Sequence, residues 1–260
     1  YIPHLYSKVE ICEQKGGTDL KAVFDCANYT LSPDFFNYQQ IVLDHYKQYY
    51  GNKKMWITEW NIDAGNTTSN TIRHAEFVSE FLLGLVDAAN KNSQIEYAFF
   101  HNYGSGGYAA PIFTYSNKRS VDYLKKEGNI AYNSTYFSFL YLREITNQNG
   151  NRINEKISYP KGLTNQNVIF KTFYNSTIKS VFLYFINKTS ENIPFELEGS
   201  KGIIQAKGIH GKYPWSVAGW NRIYKSVPEQ VDLIQYIPSN KSANDYSVPA
   251  NSIGYLEIKL

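Results

Sequence analysis

The chain has 260 residues, 43% hydrophobic and 19% charged, enough for one large domain or two ordinary ones, and wholesale disorder is excluded. A net charge of +3, a pI near 8.6 and the lack of any Lys/Arg block give no footprint for nucleic acid. No apolar run approaches the length of a membrane span, so no membrane partner is expected.

The chain opens on Tyr1 rather than Met, so residue 1 is not expected to be a translation start. Cys12 and Cys26 can pair in an oxidising compartment or both be free, and free thiols are the favoured expectation. Sequons at Asn28, Asn66, Asn133, Asn175, Asn187 and Asn240 arise by chance in an Asn-rich chain. Ser32-Pro33 starts a helix, with Ser as N-cap and Pro in the first turn. Tyr38, Ile41, Val42, His45 and Tyr49 fall on one face of it, and Gly51 stops it. "MWITEWN" (55–61) reads as a strand and "NTTSNT" (66–71) as a polar loop. A second helix spans Ile72 to Ala89, with Ala75, Val78, Leu82, Leu85 and Ala89 on its apolar face. A strand from Ile95 to Tyr103, a Gly/Ser/Tyr-rich loop and a third helix from Ile130 to Ile145 follow.

Beyond "NQNGN" (147–151) short strand-like runs recur between turn signals: "NVIFKTFY", "KSVFLYFIN", "IPFELEG", "GIIQAKGI", "VDLIQYI" and "SIGYLEIKL". That spacing predicts an antiparallel sandwich and a boundary near residue 148. The first part reads as βα units of about 30 residues each, so it holds four or so, whereas a closed (β/α)8 barrel needs about 250 residues.

The chemistry falls on Glu59. A carboxylate at the C-terminal end of a βα strand points into a barrel mouth, and there it can attack an anomeric carbon. Trp56 and Trp60 flank it and are expected to wall the site. The competing reading is an ion-paired or capping Glu at a strand–loop junction. Aromatic residues reach 16%, with 23 Tyr. Such rings suit sugar surfaces, but a Tyr/Asn/Lys-rich genome gives the same composition.

"WITEWN" resembles the nucleophile strand of the retaining glycoside hydrolases of clan A, the (β/α)8 superfamily that includes arabinofuranosidases, xylosidases and some endoglycanases. "HAEFVSEFLLGL" is similar to the helix after that strand. "YAFFHNY" takes the place of the eighth strand, and "YSVPANSIGYLEIKL" resembles the last strands of the sandwich behind such barrels. The resemblance implies an α/β plus all-β chain: the C-terminal portion of a TIM barrel over residues 1–148, then an antiparallel β-sandwich over 149–260. It implies Glu59 as nucleophile. "PHLY" resembles the sixth-strand His-x-Tyr of that superfamily, which would make Tyr6 a hydrogen-bond partner of the nucleophile and place His4 in the sugar site. A frayed, irrelevant N-terminus is the other reading. His101, Asn102 and Tyr103, with Trp60, are expected to contact sugar, with Tyr103 or Tyr108 replacing the tryptophan platform of many relatives. A structural His101 competes with equal weight.

The family pattern also has a second carboxyl, the Glu of an Asn-Glu pair, three units or ~90 residues before the nucleophile. Only 58 residues precede Glu59, and the one Asn-Glu pair, Asn154-Glu155, lies after it. The acid/base is therefore expected on another segment or chain. The expected function is a secreted, periplasmic or cell-surface retaining O-glycosyl hydrolase acting on a plant or algal polysaccharide or oligosaccharide. Its partners would be the carbohydrate and a polypeptide carrying the N-terminal barrel strands. Without that polypeptide, apolar strand residues such as Ile57 and Phe99 would face solvent. The alternative is a non-catalytic carbohydrate-binding or surface protein on a degenerate half-barrel. No cofactor is expected; no His/Cys/Asp cluster has metal-ligand spacing, and "GSGG" (104–107) is not followed by a helix.

Overall fold

The protein, seen as a computed structural model, is described over residues 4–31, 33–63, 67–91, 94–101, 112–114, 130–148, 150–154, 156–159, 161–196, 202–218, 231–236 and 246–259. The first part runs β1 (His4–Ser7), α1 (Glu10–Gly16), α2 (Leu20–Thr30), α3 (Pro33–Tyr50), β2 (Met55–Ile62), α4 (Ile72–Lys91) and β3 (Ile95–Phe100). The short strands β4 (Ile112–Thr114) and β5 (Ile130–Tyr132) pair with each other, and α5 (Ser134–Asn147) follows. The strands then are β6 (Asn151–Ile153), β7 (Val168–Asn175), β8 (Ser180–Asn187), β9 (Ile193–Pro194), β10 (Gly202–His210), β11 (Asp232–Tyr236), β12 (Ser247–Val248) and β13 (Ser252–Lys259).

β1, β2 and β3 form a parallel sheet in chain order. Parallel neighbours need long crossovers, supplied by α1–α3 and by α4. The apolar residues of β2 are Met55 and Ile57, then Trp60 and Ile62: the alternation skips one residue. The pairing skips with it, because Ile57 faces Ala98 while Trp60 faces Phe100, three residues advancing against two. One extra residue is a β-bulge, and it exchanges the two faces of the strand beyond it. Met55, Ile57, Trp60 and Ile62 are therefore all buried, packed with Phe77, Phe81 and Leu85 of α4. Trp60 stacks on Phe81 at a centroid distance of 4.5 Å. This corrects the expectation that Trp60 walls the site. Ile57, expected to be bared, is covered by α4. On the opposite face Trp56, Tyr97 and Phe99 are 46%, 50% and 49% exposed, their rings in contact in sequence.

The stretch between β1 and α3 is a helical hairpin. Gly16, where a Cβ would overlap Val23, and Gly17, at φ +57°, make the turn that folds α2 against α1. The turn brings Cys12 and Cys26 to a Cα separation of 5.4 Å, and they form a disulfide. The expectation of free thiols is thereby corrected. α3 turns Leu43 and Tyr46 to the core and leaves Ile41, His45 and Tyr49 exposed. Of the residues read as one face, Ile41, His45 and Tyr49 thus point outward and Val42 is half-buried. Apolar residues ring this helix, so periodicity alone does not fix its orientation.

α4 is buried on nearly all sides. Phe77, Val78, Phe81 and Leu85 meet the parallel sheet. Ile72, Ala75 and Leu83 join Tyr141 and Ile145 of α5 against one face of a six-stranded antiparallel sheet ordered β11-β10-β13-β8-β7-β6. Val168, Phe170, Phe185 and Leu256 fill a further core cluster, with Ile193 and Val248 of the two-stranded β9–β12 sheet. Among the described residues of "IPFELEG" only Ile193–Pro194 is strand, and the third helix starts at Ser134 because Ile130–Tyr132 pairs as strand instead.

Breaking the 12–26 disulfide by Cys12→Ser with Cys26→Ser should cost about 3 kcal/mol, the loop-closure value for a bridge of this span. Thermal melts in which the double variant matches the parent would contradict this.

Candidate active site

The ends of β1, β2 and β3 bring four predicted residues together. In the register His4 lies beside Glu59 and Tyr6 beside Asn61. The bulge delivers Glu59 to the face that carries Tyr6 and His101 rather than to the core. Tyr6 Oη donates to Glu59 Oε2 at 2.7 Å. The same hydroxyl lies 2.8 Å from His101 Nδ1, and His4 Nδ1 is 3.5 Å from Glu59 Oε2. Trp60 points away into the core, and Asn102, Tyr103 and Tyr108 lie outside the described residues.

The electrostatics favour an ionised Glu59. The Tyr6 hydrogen bond holds its carboxyl below the usual range, against an opposing desolvation and with help from His4 and His101. Burial, then the hydrogen bond to Glu59 and its charge, push the Tyr6 phenol well above its usual range, so it stays a donor. A carboxylate kept charged, oriented by one donor and still partly exposed is suited to attack an electrophilic carbon.

Three further residues brace this mouth. Asn61 Nδ2 donates to the His101 carbonyl at 2.7 Å, and its Oδ1 lies 2.8 Å from Nε2 of the fully buried His74. Glu13 Oε1 accepts from the Thr67 and Thr68 amides at 2.6 and 2.7 Å, tying α1 to the loop after β2. Asn61 belongs to the "ITEWN" motif and was visible as a polar residue on an apolar strand. His74 and Glu13 carry no signal of a link to the site, since Asn61 lies 13 residues from His74, and the amides that Glu13 accepts from lie 54 or more residues from it. Among the described residues no group of three or more His, Cys, Asp or Glu is placed to hold a metal ion.

No family model matches the chain, and no curated protein sequence matches it. Among solved structures it is similar to a family 51 α-L-arabinofuranosidase from Bifidobacterium longum, with TM-score 0.53 and 13% identity over 78% of this chain and 42% of that one. The catalytic domain of xylanase C from Talaromyces cellulolyticus gives TM-score 0.48 and 12% identity, over 80% of this chain and 41% of that one. An α-L-arabinofuranosidase from Thermotoga maritima, solved with arabinose, gives 0.46 and 15%, over 80% and 43%. The likeness to the Bifidobacterium enzyme is one of fold, and the chain spans about two fifths of that structure's length.

Tyr6→Phe removes the largest influence on Glu59, so the carboxyl's midpoint should rise toward the ordinary value of about 4.3. The folded pKa is depressed, so the contact stabilises the fold above the unfolded midpoint and is lost as pH falls through the folded one. Carboxyl 13C titration of both proteins measures this, and coincident curves would contradict it.

Proposed function

We propose that this chain carries the nucleophile half of a retaining O-glycosyl hydrolase, on the C-terminal part of a clan A (β/α)8 barrel (1–148) followed by a β-sandwich (149–260). The observation that carries the reading is the Glu59 carboxylate at the bulge of β2, held ionised by Tyr6 and flanked by His4 and His101. The fold likeness to the Bifidobacterium arabinofuranosidase supports it. Plant or algal polysaccharides or their oligosaccharides are the proposed substrates. Asn102 and Tyr103 are proposed, with His4 and His101, to contact the sugar.

Glu59 would attack the anomeric carbon as the glycosidic C–O bond breaks. A second carboxylic acid, about 5–5.5 Å away, gives its proton to the leaving oxygen. That group, now a carboxylate, takes a proton from water, which attacks the glycosyl ester and frees Glu59. The second carboxyl is assigned to a polypeptide carrying the earlier barrel strands.

Two surfaces support such a covering polypeptide. The sheet face bearing Trp56, Tyr97 and Phe99 is open, α3 presents Ile41 and Tyr49 outward, and β1 is an edge strand of its sheet. Further strands continuing the sheet from β1 and closing over that face, with their helices on α3, would cover both. Each such apolar side chain contributes roughly 1.5–3 kcal/mol when buried. The same exposed rings also favour the second reading, a non-catalytic carbohydrate-binding protein. The disulfide supports a secreted, periplasmic or cell-surface location. No helix among the described residues is long and apolar enough to cross a membrane.

In the complete enzyme Glu59→Gln should lower turnover by several orders of magnitude with the fold retained. Near-normal turnover in a folded variant would refute the nucleophile. Light scattering addresses the covering polypeptide. The chain alone should associate or melt without cooperativity, and a well-behaved 29.9 kDa monomer would favour the binding protein.

A further inference from the structure

We propose that His74 and Asn61 are positioning residues for the Glu59 site, with His74 acting through Asn61 on His101. The functional meaning of this rests on Glu59 being the reacting group; its test does not.

The argument is proton accounting. His74 is fully buried in the first turn of α4. Its Nδ1 accepts from the Asn70 amide at 3.1 Å, so Nδ1 carries no proton. The one proton of a neutral imidazole is then on Nε2, which donates to Asn61 Oδ1 at 2.8 Å. Burial pushes the His74 pKa down to about 3, so the ring is a fixed donor and not a switch. Asn70 sits at φ +62°, a left-handed conformation that Asn adopts more readily than most residues, and this aims its amide at the ring.

The donor from His74 decides how Asn61 is turned. Asn61 Oδ1 also accepts from the Ile62 amide at 2.7 Å. With its oxygen committed to two donors, the amide must turn its nitrogen the other way, where Nδ2 donates to the His101 carbonyl at 2.7 Å. The His101 amide donates to the Trp60 carbonyl at 3.1 Å. Both backbone groups of residue 101 are thus tied to residues 60 and 61, next to Glu59. This fixes where the His101 ring sits. Tyr6 has a single hydroxyl proton and gives it to Glu59. Its 2.8 Å contact with His101 Nδ1 therefore requires His101 to donate from Nδ1. A continuous line of donors runs from a core histidine to the carboxylate: His74 to Asn61, Asn61 to His101, His101 to Tyr6, Tyr6 to Glu59. A histidine that merely satisfies the core would leave the far end of that line unchanged when replaced.

The test is histidine 15N and carboxyl 13C NMR on the intact chain without sugar. In the parent, His74 should be an Nε2–H tautomer that does not titrate between about pH 5 and 8, and neutral His101 a single Nδ1–H tautomer. His74→Leu should turn His101 into a tautomer mixture and raise the Glu59 midpoint toward about 4.3. His74→Gln, which restores a donor, should recover both signatures. Asn61→Asp keeps the acceptor for His74 but sets an oxygen against the His101 carbonyl, so it should produce the same loss. A parent His74 that is Nδ1–H or titrates in that range overturns the proposal, whether or not the variants fold. So does either folded variant, His74→Leu or Asn61→Asp, with unchanged His101 tautomer and Glu59 titration. Failure of the nucleophile reading would look different: turnover would survive Glu59→Gln while these signatures persisted.

Discussion

One extra residue in β2 sets the site. In a regular strand Met55 and Ile57 on the core face would be followed by Glu59, and a charged carboxylate would be forced under α4, where isolated ions are strongly disfavoured. The bulge between Ile57 and Trp60 exchanges the faces. Trp60 goes inward to stack on Phe81, and Glu59 goes outward to Tyr6. The burial of a large aromatic and the exposure of a carboxylate are thus two results of one irregularity. Core packing of Trp60, worth roughly 3–5 kcal/mol on truncation, holds the acid in place.

α4 is the second constraint, because it is the wall between the parallel and antiparallel sheets. Its acidic side chains meet cations from the antiparallel part: Glu80 with Lys188 at 2.8 Å, and Asp87 with Arg152 at 2.9 Å and Lys171 at 2.8 Å. Arg73 pairs with Glu76 at 2.8 Å and donates to the Lys188 carbonyl at 3.0 Å. Burial pushes the Glu76 carboxyl up to about 7 against the pull of Arg73. Such pairs are costly to desolvate and add little net stability, but breaking one leaves an uncompensated charge. They fix the rotation of α4, and with it the direction in which His74 points.

The sequence carried the placement of Glu59, Tyr6 and His4 better than the packing around them. The family resemblance of "ITEWN" and "PHLY" put Glu59, Tyr6 and His4 together, as they are in the structure, although β2 runs on past Glu59 to Ile62. The apolar residues at 55, 57, 60 and 62 carry the trace of the bulge, but Trp60 was expected to wall the site because it adjoins Glu59 in sequence, and it is buried instead. The outward face of α3 and the disulfide of the α1–α2 hairpin were not legible. An apolar stripe does not show which neighbour covers it, and two cysteines do not reveal a turn at Gly16 and Gly17. His74 was hidden because its role runs through the Asn61 side chain to the His101 carbonyl, neither of which lies on its own helix. In the C-terminal half, five of the six strand-like runs pair in the six-stranded sheet. Their period-2 pattern is local, while the short β9 run owes its limits to the partner β12.

The most direct test of Glu59 is covalent trapping in the complete protein with 2-deoxy-2-fluoro glycosides bearing a dinitrophenyl leaving group. Such a leaving group departs without protonation, and the fluorine slows release of the glycosyl ester. A panel of arabinofuranosyl and xylosyl probes, followed by peptide mass spectrometry, reads the site of attachment. The account predicts a glycosyl adduct on the peptide containing Glu59, absent in Glu59→Gln. An adduct on a different carboxylate of an active enzyme would contradict it.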